Sequence, residues 1–172
     1  MLLVNACLAS AVAWAASESK PDPTLWDLNK KPQKLSQYRG KIVILNFWAT
    51  WCVSCKTELP MLVEEQKRYR HRGVVVVAAS VDDATTVAKV KPYVKQKDLN
   101  FPVWLGATVD TLGTLELGQA VPATAFFDQE GNLVGRVKGI LTQDDLEHRI
   151  QWLLGNREGT APEPVVDNLS PR

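Results

Sequence analysis

Lys41-Ile42-Val43-Ile44-Leu45-Asn46-Phe47-Trp48-Ala49-Thr50-Trp51-Cys52-Val53-Ser54-Cys55 is the stretch that decides the fold. Its first eight residues are apolar and β-branched with few breaks. That is the pattern of a strand buried on both faces in a central parallel sheet. Beyond the cysteines, Lys56-Thr57-Glu58-Leu59-Pro60-Met61-Leu62-Val63 has helical spacing. The cysteines therefore fall where a strand ends and a helix begins. A helix N-terminus carries unpaired N–H groups and the positive end of the dipole. Both stabilise a thiolate, so Cys52 is expected to be an exposed, ready nucleophile. Cys55, one turn along, is near enough to close a disulfide with it. The arrangement suits dithiol–disulfide exchange.

Other readings of Cys-x-x-Cys compete. A zinc site needs about four ligands, and the remaining candidates are Cys7, His71 and His148, with no second paired motif. A purely structural disulfide across so small a loop would constrain the unfolded chain little. Redox chemistry is the reading that uses the position of the pair.

The segment from Phe47 to Pro60 resembles the active-site segment of thioredoxin-fold proteins. It is most similar to that of the TlpA/ResA/CcmG-like branch of bacterial extracytoplasmic thiol–disulfide oxidoreductases, and the resemblance runs from about Pro23 to Leu154. It implies a thioredoxin-like α/β fold with a central mixed sheet flanked by helices. From Cys55 to Pro122 is 67 positions, more than a minimal thioredoxin needs. The excess matches an insertion that this branch carries between the active-site helix and a cis-proline. The resemblance makes Val121-Pro122 that site, with Val121 brought beside the cysteines so that its backbone pairs with an incoming peptide. By residue type alone, Pro122 would be an ordinary trans proline opening a strand.

In this 172-residue chain the 20 basic and 19 acidic residues nearly cancel, and 45% of residues are hydrophobic. One domain with tails is expected: a signal or anchor segment and linker over 1–20, a thioredoxin-like domain over 21–155, and a disordered tail over 156–172. Nothing points to nucleic acid. The densest basic run, Lys67-Arg68-Tyr69-Arg70-His71-Arg72, sits at a helix end, where positive charge complements the dipole. Residues 1–16 are apolar and rich in small residues, and Ala13-Trp14-Ala15 resembles a signal cleavage site. The run is short for a membrane span and has no basic start, and Val4-Asn5-Ala6-Cys7 is a poor match to a lipoprotein signal. Export to a periplasmic or other extracytoplasmic place is the expectation. A membrane anchor or lipid on Cys7 is the alternative, and membrane contact is through this segment only.

Further elements follow in order. Thr24–Leu28 reads as a short strand. Ser54–His71 is a helix with Leu59, Leu62, Val63 and Tyr69 as its stripe and Pro60 inside. Gly73 stops it, and Val74–Val81 is a second buried strand. Ala84–Gln96 reads as a helix whose last turns Pro92 weakens, Phe101–Leu105 as a short strand, and Thr108–Leu117 as a helical turn. Thr124–Asp128 and Leu133–Val137 form a hairpin about Gly131-Asn132. Thr142 caps a last helix carrying Leu146, Ile150, Leu153 and Leu154.

The chemistry is assigned as follows. Cys52 attacks a substrate disulfide, and the more buried Cys55 resolves the mixed disulfide. Where thioredoxin keeps a buried aspartate, this chain has Asn46, which cannot titrate. The ResA-like branch resembles this chain in having a glutamate three residues after the second cysteine, so Glu58 is the acid–base candidate, against a plain solvated helix glutamate. Trp51 is expected at the rim where substrate docks, with Val121 and Pro122, and Trp48 in the core. No flavin or nicotinamide fingerprint is present, so no cofactor is expected and an upstream membrane thiol reductant must recharge the pair. Val53-Ser54 brings no charge to stabilise a thiolate, which points to a reductant of protein disulfides. The resemblance implies cytochrome c maturation, general periplasmic reduction or service to a copper-site assembly factor, so apocytochrome c or a copper-site assembly protein are the candidate substrates. The rivals are a copper-handling metal carrier of this fold, for which the wider cysteine spacing and distant histidine are missing, and a peroxidase, against which Trp51 and the second cysteine argue.

Overall fold

The structure is a computed structural model that describes residues 20–169. The signal or anchor reading of residues 1–16, with Cys7, lies outside the described residues. Strand β3 (Ile42–Trp48) is buried at every position. Its side chains alternate between two core layers: Ile42, Ile44 and Trp48 in one, Val43, Leu45 and Phe47 in the other. This is the strand period of two in an element covered on both sides. Each large side chain so buried is worth about 1.5–3 kcal/mol.

The other elements are placed by this strand. In chain order they are β1 (Leu25–Asp27), β2 (Pro32–Gln33), β3, α1 (Val53–Tyr69), β4 (Val74–Ser80), α2 (Val90–Gln96), β5 (Val103–Leu105), α3 (Val109–Thr114), β6 (Ala123–Phe127), β7 (Leu133–Gly139), α4 (Gln143–Leu154) and β8 (Val165–Asn168). They make one mixed sheet in the order β2-β1-β5-β4-β3-β6-β7-β8. β3 runs parallel to β4 and antiparallel to β6. Leu59 and Leu62 of α1 with Ile150 and Leu153 of α4 cover one face. Leu112 of α3, with Leu115 and Leu117 after it, covers the other. The thioredoxin-like α/β fold expected from the resemblance is the fold observed.

Two regions differ from expectation. α2 begins only at Val90, after turns and a short 3-10 segment. Pro92 then lies in its first turn, where the missing N–H forfeits no helical bond, rather than near its end. The composition after Gly155 predicts a disordered tail, and the structure corrects that for the described part of it. β8 adds to β7 as a parallel strand, Arg136 opposite Val165 and Gly139 opposite Asn168. The segment leading to it is tied by distant partners: Arg149 Nη2 donates to the Glu163 carbonyl at 2.7 Å, and Arg157 Nη2 to Asp128 Oδ2 at 2.8 Å. A docking built from an open strand edge and two arginine contacts leaves no periodicity along the tail itself. Among the described residues, no helix is long and apolar enough to cross a membrane.

Candidate active site

The end of β3 and the start of α1 set the two sulfurs. Cys52 is the N-cap of α1 and its Sγ accepts from Cys55 N–H at 3.1 Å. Cys52 and Cys55 are joined as a disulfide. Cys55 is fully buried, whereas Cys52 is 6% exposed. Cys52 is thus the more accessible sulfur, but more covered than its position suggested. The exposed neighbours are Trp51 at 57% and Val53.

The Val121-Pro122 peptide bond is cis, as the resemblance implies. The Val121 carbonyl oxygen lies 3.8 Å from Cys52 Sγ. Trp51 and Val121 also border an apolar groove of about 860 Å³ that Trp26, Leu105 and Val109 help to line. The sequence placed Trp26 in a short strand and gave it no part in the site. Trp26 reaches the groove because β1 pairs with β5, which no local signal announces.

One turn beyond Cys55, Glu58 points inward and is only 2% exposed. The solvated-helix alternative is therefore not what forms. Its Oε1 accepts from Leu141 N–H at 2.7 Å and its Oε2 from Asn46 Nδ2 at 3.2 Å. Burial pushes its pKa up to about 7, while the Leu141 and Asn46 hydrogen bonds pull the other way. A carboxyl poised there can hold or release a proton near neutral pH. The β3–β6 register sets Thr124 opposite Asn46, and Asn46 Nδ2 donates to Thr124 Oγ1 at 3.0 Å. Asn46 does not titrate; it orients the residue that does. Neither contact was legible, because Thr124 lies 78 residues from Asn46 and Leu141 lies 83 residues from Glu58.

Trp48 is buried and tilted against Tyr93, ring centroids 5.4 Å apart. His71 and His148 are exposed, as is the basic run after Gln66 apart from Tyr69. Among the described residues, no group of three or more His, Cys, Asp or Glu is arranged to hold a metal ion.

Known proteins with this sequence pattern and shape share the chemistry that the geometry permits. A family model described as AhpC/TSA matches residues 16–136. A thiol-disulfide oxidoreductase ResA of Bacillus cereus is 36% identical over 131 residues, covering 76% of this chain and 74% of the relative. Among solved structures, a thioredoxin-family thiol:disulfide interchange protein of Chlorobium tepidum superposes with a TM-score of 0.68 at 28% identity, over 78% of this chain and 94% of that one. An exposed lipoprotein thioredoxin of Streptococcus pneumoniae does so with a TM-score of 0.65 at 31% identity, over 77% of this chain and 99% of that one.

Proposed function

This chain belongs to the AhpC/TSA family and is a thiol–disulfide oxidoreductase related to ResA; from that premise we propose that it reduces protein disulfides outside the cytoplasm. The observation that carries the reading is the Cys52–Cys55 pair at the start of α1 with a buried carboxyl one turn below it. In the dithiol form the Cys52 thiolate attacks one sulfur of the substrate disulfide, and the other leaves as a thiolate. Glu58, ionised in about half the molecules near neutral pH, takes the Cys55 proton. Cys55 then attacks Cys52 Sγ, releases the second substrate thiolate and leaves the disulfide seen here. Two electrons pass to the substrate, and an upstream membrane dithiol returns them. Trp51, the Val121 backbone and Pro122 receive the extended substrate segment.

The direction follows from what the site does to a thiolate. A strong oxidant owes its potential to a stabilised reduced form. Here Val53 and Ser54 add no charge, and a nearby carboxylate disfavours a second anion. Support for a place outside the cytoplasm comes from the apolar start of the chain and from likeness to a protein described as an exposed lipoprotein. Apocytochrome c and copper-site assembly proteins are the candidate substrates. In the test, Cys55→Ser traps substrate as a mixed disulfide through Cys52 and Cys52→Ser does not. The glutathione-equilibrated potential should fall nearer the thioredoxin value of about −270 mV than −120 mV, and the latter would overturn the direction. A reporter active only outside the cytoplasm, fused to residues 1–20, tests location; a silent fusion would remove that part of the reading.

A further inference from the structure

The loop between β3 and α1 is held by a carboxylate from a different strand. Asp82 follows β4 by two residues and is 5% exposed. Its Oδ2 accepts from Thr50 N–H at 2.8 Å and from the Ser80 hydroxyl at 2.8 Å. Its Oδ1 accepts from the Thr50 hydroxyl at 2.5 Å. Ser80 Oγ in turn accepts from Asp82 N–H at 3.0 Å. Among the described residues, no Lys, Arg or His comes within 4 Å of this carboxylate to pair with it. A carboxylate removed from water without a cation is costly unless donors surround it, and three donors do so here. Two of the three belong to Thr50, one from its main chain and one from its side chain.

Thr50 is two residues from Cys52, and the Cys52 N–H closes back on the Ala49 carbonyl at 3.2 Å. The loop 49–51 is therefore a short tight link. Among the described residues, Asp82 is the side chain from another element that hydrogen-bonds this loop. Trp51 and Asp82 also border the same groove. We infer that Asp82 is a positioning residue for the redox pair: by clamping Thr50 to the end of β4 it holds Cys52 Sγ against the Cys55 N–H. It touches neither sulfur nor substrate. The inference rests on Cys52 being the attacking sulfur, as proposed above.

If the clamp loosens, the Cys52 thiolate loses the helix N–H that stabilises it, and its titration moves toward that of an ordinary thiol, about 8.5. The test uses the reduced full-length chain. Cys52 alkylation by iodoacetamide is followed against pH, beside the reduction rate of a disulfide-bonded peptide. The Cys55 thiol and the Glu58 carboxyl also titrate on α1, and both are common to every variant. Thr50→Val removes one donor and leaves the carboxylate in place. Asp82→Asn keeps the shape and one acceptor. Both are expected to move the alkylation midpoint up, by about one unit, and to slow peptide reduction by roughly ten-fold or more, since small misplacement of a reacting atom is expensive. Asp82→Ala, if it folds, should exceed both. A downward midpoint in Asp82→Asn would make Asp82 a mere charge and overturn the inference. So would a shift in Asp82→Asn with none in Thr50→Val, or a lower melting temperature with midpoint and rate unchanged. Alkylation reads the sulfur whatever the substrate is, so a failure of the reductant reading would show separately in the peptide assay.

Discussion

Glu58 shows how one side chain changes meaning with its surroundings. On an exposed helix face it would be an ordinary glutamate; between Asn46 and Leu141 it is buried, and burial raises its pKa to about 7. Its folded pKa of about 7 lies above the ordinary value of 4.5. A raised acid favours folding in its protonated form, so that contribution is complete below about pH 4.5 and is lost as the pH climbs through about 7. The size is on the order of 3 kcal/mol. Urea unfolding of the oxidised protein should therefore show stability falling from pH 4.5 to 7 and level above it. Glu58→Gln should flatten that window. In the reduced protein the same substitution should lower the alkylation midpoint of Cys52, because a neighbouring negative charge is gone. It should also slow substrate reduction by about a hundred-fold, the usual worth of a lost proton acceptor. Rates and profiles unchanged within a few-fold would return Glu58 to a structural role.

Among the elements, β7 is the one whose edge was not accounted for by its own hairpin. Gly139 ends it with φ +87° and its N–H donates to the Pro122 carbonyl at 2.9 Å. A Cβ there would stand 2.7 Å from the Asn168 carbonyl carbon and 2.8 Å from its oxygen. Both the left-handed backbone and the close approach of β8 therefore require glycine. Gly139→Ala is expected to cost about 1–3 kcal/mol and to push the end of β8 off the sheet. Hydrogen exchange should show amides of residues 165–168 opening while those of β3 stay protected. Unchanged protection at β8 would mean the strand yields elsewhere.

At the scale of the whole molecule, β8 closes one side of an eight-stranded sheet. Cutting the chain after Gly155 would expose the edge of β7 and remove the Glu163 carbonyl from the buried Arg149. An open edge is a template for other chains. The truncated protein should melt roughly 4–8 °C lower, for a loss of about 2 kcal/mol, and should aggregate more on heating. Its rate of peptide reduction per folded molecule should match that of the full chain, since β7 separates β8 from β6 and both cysteines and Glu58 lie at the start of α1. A fall in that rate with folding intact would place the tail in the mechanism.

How much of this was legible follows from distance along the chain. The run Ile42–Trp48, the cysteines after it and the helical spacing beyond are local. Burial on two faces demands an unbroken apolar strand, and a thiolate demands a helix start, so composition and spacing alone fixed the sheet centre and the redox pair. The cis bond at Pro122 came through resemblance, since residue type favours trans. The rest depended on register. The antiparallel match of Asn46 with Thr124, the reach of Leu141 N–H to Glu58 and the grip of Asp82 on Thr50 join residues 32 to 83 positions apart. β8 likewise needed only an open edge and Arg149 and Arg157 to anchor it. Hydrogen bonds between distant residues write no pattern into either partner's neighbourhood, so they exist only once the sheet has brought the strands together.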